Sequence, residues 1–559
     1  MDETINTQMM MLSEELEQQI RDAANQMSEE NWVARIWDTE AELWRSEPEH
    51  VEEISSRLGW LHLPTRVMPK VPMLTDFAET ARGEFDHVVL LGMGGSSLAP
   101  WCFSDIFGSP EGFPELTVLD STVPEEVLAA TGGHAPEDCL FIVASKSGTT
   151  AETRGFFDHF WAEVSAAKDD PGENFVIITD PGSPLLDVAD ERNARAAFEN
   201  WEDIGGRYSG LSYFGMVPAA LMGLPLRMIL EQASEMAGAC APEKPVDENP
   251  GAALGALLGC CHGMGRNKVT FLTSDRLTTF GDWAEQLLAE STGKEAKGLV
   301  PVVGEPPLDP DAYADDRVFA YIRMEDDTTH DDLVADLVER GHPVVRIVVE
   351  DPTSIGAEMY RWEFATAVAG AVMGIDPFDQ PNVQEAKDKT KAVLEEYSET
   401  GELPEQEPDV IEGAVGSGDM RGAVQHLIDS IESGDYFAIM AYLKRDEVID
   451  DAVQHMRAQV AMEKGIATTF GYGPRFLHST GQLHKGGPNT GVFIQITSEG
   501  GADVDVPGKA YDFATLKEAQ AAGDLAVLQE RDRRVIRVDL GDDVAGNLGR
   551  LQEMIVEAV

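Results

Sequence analysis

The chain has 559 residues, too many for one core, and its 43% hydrophobic content can fill two to four. Against 100 aspartates and glutamates stand 42 lysines and arginines, and the resulting net charge of −58 repels nucleic acid and anionic membrane surfaces. Such an acidic shell resembles that of proteins adapted to high salt, and it makes each cation beside a glycine-rich turn informative, because an anionic ligand needs local positive charge.

No apolar run is long enough to span a bilayer, and the opening MDETINTQMM lacks the basic-then-apolar order of a signal peptide. The five cysteines (Cys102, Cys139, Cys240, Cys260, Cys261) are odd in number and lack CxxC spacing. They predict reduced thiols in a cytoplasmic protein rather than a zinc or disulfide framework.

Residues 1 to 80 read as helices, for example 12–27 and 51–58, with no chemistry attached. A strand–turn–helix unit follows at 87–100, HVVLLGMGGSSLAP, in which strand 88–91 runs into Gly92-Met93-Gly94-Gly95-Ser96-Ser97. Gly92 and Gly94 match the start of a dinucleotide-binding turn, and Asp120, closing the next strand at 116–120, could take a ribose. Gly94, Gly95 and Ser96 would equally let the backbone approach a sugar or its phosphate.

At 141–153 the sequence is FIVASKSGTTAET. Its apolar run stops at Ser145-Lys146-Ser147-Gly148-Thr149-Thr150, and a helix-compatible segment with Glu152 follows. A buried strand ending in a hydroxyl-rich turn at a helix N-terminus offers unpaired N–H groups and the positive end of the helix dipole, which suits a phosphate. An ordinary N-cap with solvated hydroxyls fits the same residues. With a further strand at 175–179, the alternation predicts a doubly wound parallel sheet, whose ligands bind beyond the carboxyl ends of strands.

Gly205-Gly206-Arg207-Tyr208-Ser209 precedes an apolar helix at 211–222. An arginine fixed at such a turn could face an anion or a developing oxyanion, or pair with a surface carboxylate. A second α/β unit begins near Lys268, with strand 268–274, helix 278–292, a Pro-rich loop at 303–311, strand 318–324, helix 332–340, strand 343–349 and an apolar helix at 362–373. Within EQLLAESTGKEAK, at 285–297, Gln286 and Glu290 share a helix face, and Glu290 lies at the helix end. Partly desolvated, that carboxylate can act as a base; solvated, it does nothing.

PFDQPNVQEAK, at 377–387, starts a helix with Asp379 and Gln380 near its cap, so that Gln380 and Lys387 lie two turns apart on one face. The acidic stretch 395–409, with Pro404 and Pro408, reads as a linker. FGYGPRFLHSTGQLHKGGPN, at 470–489, holds His478 and His484 in a neutral-to-basic island without metal-ligand spacing. The segments from Val318 and from Val492 echo each other as strand, acidic turn, helix and basic strand. They predict a third, smaller α/β lobe that partly duplicates the second, although common βαβ grammar yields the same likeness.

Taken in order, GMGGSS, ASKSGTTAET, GGRYS, ESTGK, PFDQPNVQEAK and LHSTGQ resemble the glucose-6-phosphate isomerase family, built from paired sugar-isomerase (SIS) domains. The likeness is best to the isomerase half of bifunctional transaldolase/phosphoglucose isomerases, with no transaldolase half in view. The resemblance implies an α/β fold with two SIS-type doubly wound domains. These are 81–240, with the phosphate-binding turn, and 241–400, with the catalytic Glu and the Gln/Lys helix. A helical segment at 1–80 precedes them, and a C-terminal α/β lobe at 410–559 carries the His motif.

The implied reaction interconverts glucose 6-phosphate and fructose 6-phosphate, in glycolysis and gluconeogenesis, through a cis-enediolate. Glu290 would shuttle the proton between C2 and C1, and Arg207 would stabilise the enediolate. Lys387 and His478 would assist ring opening, while Gln286 and Gln380 orient the substrate. Ser145, Lys146, Ser147, Thr149 and Thr150 would hold the phosphate, with Gly95 and Ser96 against the sugar. No metal or cofactor is implied, and the only partner is the phosphosugar.

One departure from the family pattern matters. The His motif follows the Gln/Lys helix instead of the Glu motif, and in the family it reaches the site from a neighbouring subunit. The third lobe is therefore expected to supply His478 within one chain, favouring a monomer over a homodimer. Isomerisation of another phosphosugar such as mannose 6-phosphate, a non-catalytic SIS-fold phosphosugar sensor and a dehydrogenase are the competing readings.

Overall fold

The computed structural model describes residues 7–403, 418–498, 502 and 504–559. A short strand β1 (Gln8–Met11) opens it, followed by helices that include Glu14–Glu29, Pro48–Ser55 and Val71–Ala81. The first sheet comprises β2 (His87–Leu91), β3 (Glu115–Leu119), β4 (Cys139–Ala144), β5 (Phe175–Thr179) and β6 (Ala196–Glu199). All its pairings are parallel, in the order β3-β2-β4-β5-β6.

The strands of this sheet are apolar on both faces because both faces are covered. Val88, Leu90, Leu140 and Ile142 enter one core, while Val89, Leu91, Phe141 and Val143 enter another. Continuous Val/Ile/Leu/Phe runs are what a parallel sheet between helical layers requires. The order reverses between β2 and β4, so the GMGGSS and SKSGTT turns both leave the sheet at its switch point.

The second sheet adds β7 (Lys268–Thr273), β8 (Val300–Val302), β9 (Arg317–Met324) and β10 (Val344–Val349), in the order β1-β10-β9-β7-β8. Helix Thr278–Thr292 follows β7, and helix Ile355–Met373, nearly all buried, packs in the large core shared by these two sheets. The third sheet, β11 (Tyr436–Ala441), β12 (Ala467–Tyr472), β13 (Gly491–Thr497) and β14 (Arg534–Asp539), is parallel in the order β12-β11-β13-β14.

Three features depart from the sequence expectation. The N-terminal segment is not wholly helical: β1 pairs antiparallel with β10, Met9 opposite Arg346, and satisfies an edge that local propensity does not register. Strands β6 and β8 are too short to show a period. The linker expected at 395–409 begins as the last turns of helix Val383–Thr400; its part from Pro404 onward, like the start of the lobe expected at 410, lies outside the described residues.

The third sheet is built onto the rest rather than tethered to it. Tyr436, Ala438 and Phe493 pack with Ala289, Val300 and Val302. Helix Phe513–Glu530 sets Phe513, Leu516 and Ala519 into the core that also covers the first sheet, where Leu394 of helix Val383–Thr400 joins them. Arg457 donates to Val303 O at 2.9 Å and Gly304 O at 2.7 Å. A buried Arg317–Glu305 pair at 2.8 Å also holds Thr468, whose N–H donates to Glu305 at 2.7 Å.

Candidate active site

The glycines after β2 are explained by what approaches them. A Cβ on Gly95 would lie 2.1 Å from Gly206 O, and one on Gly94, at φ +54°, would lie 2.9 Å from both Gln286 Nε2 and His478 O. Three segments far apart in sequence therefore converge on one turn that only glycine fits. Asp120 is not free for a ribose: it is buried and ion-paired to Arg445 at 2.5 Å. The dinucleotide reading loses its acid.

Beyond β4 the turn closes on its own hydroxyls. Ser145 Oγ accepts from Gly148 N at 3.1 Å and lies 2.9 Å from Thr150 Oγ1; Ser147 Oγ and Thr149 Oγ1 are likewise 2.9 Å apart. Helix Ala151–Ala167 starts at once. Ser147 and Thr150 line a cavity of about 680 Å³, together with Gly95, Ser96, Lys146, Arg207, Gln286, Glu290, Gln380, Lys387 and His478. Thr149 lines an adjoining cavity. Ser145 is buried and lines neither; its hydroxyl holds the turn's shape. The Lys146 ammonium pairs with Asp180 and donates to Glu202 O at 3.2 Å.

Arg207 stands in the short 3₁₀ turn Gly206–Tyr208 and is 3% exposed. Burying a guanidinium costs several kcal/mol unless its donors are satisfied. Here Nε donates to Ser291 Oγ at 2.7 Å, Nη1 to Gln380 Oε1 at 2.9 Å, and Nη2 to Pro377 O at 2.7 Å and Asp379 O at 3.0 Å. Nη1 lies 3.5 Å from Glu290 Oε1, making an ion pair inside the cavity.

These contacts overturn the placing of Gln380 on a helix face with Lys387. The helix begins only at Val383, after Asn382, so Gln380 lies in the loop ahead of it. Pro381 disfavours the α conformation at Gln380, and the non-helical carbonyls of Pro377 and Asp379 are thereby left free to accept from Arg207. Lys387 is on the helix and lines the cavity.

Glu290 and Gln286 meet as their spacing predicts. Gln286 Nε2 donates to Glu290 Oε2 at 3.0 Å and to His478 O at 2.7 Å, tying the base candidate to the histidine turn. His478 follows β12, and its Nε2 lies 3.0 Å from Glu152 Oε1. Gln520 Nε2 donates to the same oxygen at 2.6 Å, and Thr122 Oγ1 to Gln520 Oε1 at 2.8 Å. Burial alone would raise the Glu152 pKa, but the charge and hydrogen bond of His478, with a backbone hydrogen bond and the charge of Lys387, together hold the carboxyl below its ordinary value. An ionised Glu152 fixes the orientation of the ring. Glu152 is the functional residue that sequence reasoning passed over; its partner lies 326 positions away.

His484 is structural. Its ring sits 5.0 Å from that of Phe493, and burial, with Lys485 and Arg533 nearby, holds its pKa well below the ordinary value. Among the described residues the ligand atoms of His50, Asp376 and Asp379 lie within 4.8 Å of one another. The buried Lys294 ammonium sits 2.5 Å from Asp379 Oδ1.

The turn bearing His478 is also seated on Glu285, which accepts from Ser479 Oγ at 3.2 Å. Burial, then the charge of Asp282, pushes Glu285 up to about 8 from 4.5. Between those values the folded chain holds a proton that the unfolded chain has released, so this group makes stability fall as pH rises, with no further change above about 8. Glu285→Gln keeps a carbonyl for Ser479 and removes the titration. Its Tm relative to wild type is expected to rise as pH goes from roughly 5 to 8. Thermal melts across that range test this; a constant difference would show that Glu285 does not titrate there.

With this geometry in hand, the comparisons converge. A family model described as phosphoglucose isomerase matches residues 74–300. A glucose-6-phosphate isomerase of Carboxydothermus hydrogenoformans is 26% identical over 397 residues, covering 60% of this chain and 85% of that protein. One of Rubrobacter xylanophilus is 29% identical over 413 residues, covering 61% of this chain and 93% of that protein. In fold, a hypothetical protein of Thermus thermophilus superposes with a TM-score of 0.58 at 24% identity, over 69% of this chain and 99% of that one. Over residues 74–300 the chain is thus similar to the phosphoglucose isomerase family.

Proposed function

We propose that the chain interconverts glucose 6-phosphate and fructose 6-phosphate, Glu290 carrying a proton between C2 and C1. The observation that carries this reading is the Glu290–Arg207 pair, 3.5 Å apart, in one cavity with the Ser147 and Thr150 hydroxyls. A carboxylate with one oxygen toward a fixed guanidinium and the other on Gln286 is held still for proton abstraction.

As the C2–H bond breaks, charge grows on the C1 carbonyl oxygen, and Arg207, already desolvated, compensates it with little reorganisation. A proton passes from the C2 hydroxyl to the C1 oxygen and the abstracted proton returns to C1, so C1=O becomes C1–OH, C2–OH becomes C2=O, and the sugar is isomerised with no gain or loss of electrons. Ring opening precedes this step: the C1–O5 bond breaks as His478 supplies a proton to O5 and the C1 hydroxyl releases its own to solvent, giving the C1 aldehyde, with Lys387 beside it. Nε2 of His478 is engaged by Glu152, leaving Nδ1 for the substrate. Ser147 and Thr150, with backbone N–H groups at the start of helix Ala151–Ala167, hold the phosphoryl group.

Because His478 reaches the cavity from the same chain as Glu290, a single chain carries the whole constellation, which supports a catalytic monomer. The protein works in the cytoplasm, a setting suited to its five buried free cysteines; no helix among the described residues is long and apolar enough to cross a membrane.

The test is turnover of fructose 6-phosphate, read as glucose 6-phosphate formed, with mannose 6-phosphate in parallel. Turnover of fructose to glucose 6-phosphate is expected. Formation of mannose 6-phosphate alone would identify another phosphosugar isomerase, and binding without turnover a sensor.

A further inference from the structure

An entering phosphoryl group meets a chain of net charge −58, so the cations of the cavity decide whether it can stay. Among the described residues these are Arg57, Lys146, Arg207 and Lys387. Arg207 is spent on Ser291, Gln380 and two carbonyls, and Lys146 on Asp180 and Glu202 O. Lys387 acts on Glu152. The hydroxyls of the 145–150 turn are paired with one another.

Arg57 is held more loosely than Arg207 or Lys146, and unlike Lys387 it stands beside Lys146 rather than acting on Glu152. Its guanidinium donates only to its neighbour Ser56, Nη1 to O at 3.3 Å and to Oγ at 3.2 Å, and its nearest carboxylate, Glu53, is 3.7 Å away. Its backbone is nevertheless fixed. Leu58 bridges Ile204, and Gly59 N donates to Asp203 O at 2.8 Å, which binds this stretch to the loop that leads into Arg207. Arg57 Cδ lies 3.8 Å from where a Cβ on Gly205 would be, and its charge is felt by Asp180, the partner of Lys146. A cation with a fixed root, its head held only by Ser56 and a long ion pair to Glu53, thus lines the cavity beside the Lys146–Asp180 pair.

We propose that Arg57, supplied by the N-terminal segment, is a substrate-binding residue that closes on the phosphoryl group held at the 145–150 turn. A guanidinium can grip two phosphoryl oxygens at once, a contact that the self-paired hydroxyls and the engaged lysine do not provide. The identity of the sugar rests on the proposed function; the grip on a phosphoryl group does not.

Two measurements separate those claims, the KM for fructose 6-phosphate and the Kd of inorganic phosphate by calorimetry, in wild type, Arg57→Gln and Arg57→Lys. Arg57→Gln is expected to raise both by about tenfold at low salt, with most of the loss in kcat/KM appearing in KM. The ratio to wild type should shrink as salt goes from about 0.05 M to about 2 M. Arg57→Lys should recover only part, because an ammonium lacks the fork. If both constants for Arg57→Gln stay within about twofold of wild type at low salt, the proposal is overturned. Should wild type fail to turn over fructose 6-phosphate, the isomerase reading falls, and the phosphate arm still decides the role of Arg57.

Discussion

Replacing Glu290 with glutamine is expected to lower kcat on fructose 6-phosphate by roughly 10³- to 10⁴-fold, with KM changed far less. Glutamine has the same shape and leaves an oxygen to accept from Gln286, so the helix end and the cavity should survive. What disappears is the basic oxygen now 3.5 Å from Arg207. Loss of deuterium from glucose 6-phosphate labelled at C2 into water, followed by NMR, should fall by the same factor, because it reports proton abstraction by the same carboxylate. If the variant keeps activity within about tenfold of wild type, another group is the base.

The second large effect belongs to His478. His478→Gln should lower kcat by about 10²-fold on ring-closed substrate, the usual scale for losing a general acid. Proton exchange at C2 of the open-chain form should suffer much less, since Glu290 and Arg207 remain. A further comparison addresses chain economy. Because His478 Nε2 bonds Glu152 and His478 O accepts from Gln286 of its own chain, mixing the Glu290→Gln and His478→Gln variants should restore no activity. In a dimer exchanging this segment, mixed species would recombine one intact site. Recovery of activity on mixing, with a light-scattering mass of two chains, would show that the histidine crosses between subunits.

Much of the candidate site was legible locally. The strand ends at Leu91 and Ala144, the i,i+4 relation of Gln286 and Glu290 and the two glycines before Arg207 are all short-range facts, and each side chain lines or shapes the common cavity. Other features had no local trace. Gln380 reads as helical by its neighbours, yet Pro381 and the demand of Arg207 for carbonyl oxygens keep it in a loop. Ser145 reads as a phosphate ligand, yet its hydroxyl braces the turn from inside. Asp120 reads as a ribose acid until Arg445, 325 positions on, claims it.

By itself, then, the order of residues determined the strand–turn–helix units, the hydroxyl-rich turn, the positions of the base candidate and its glutamine, and an acidity that puts a premium on local cations. Hydrophobic period and turn chemistry act over a few residues, so they can be read in one dimension. Only the tertiary structure decided that Glu152 sets His478, that Gly94 and Gly95 make room for Gln286 and Gly206, and that Arg57 lines the cavity with its guanidinium only loosely paired. Those outcomes depend on which buried donor meets which acceptor once three sheets have packed, and a side chain's partner there is chosen by desolvation and distance rather than by its neighbours along the chain.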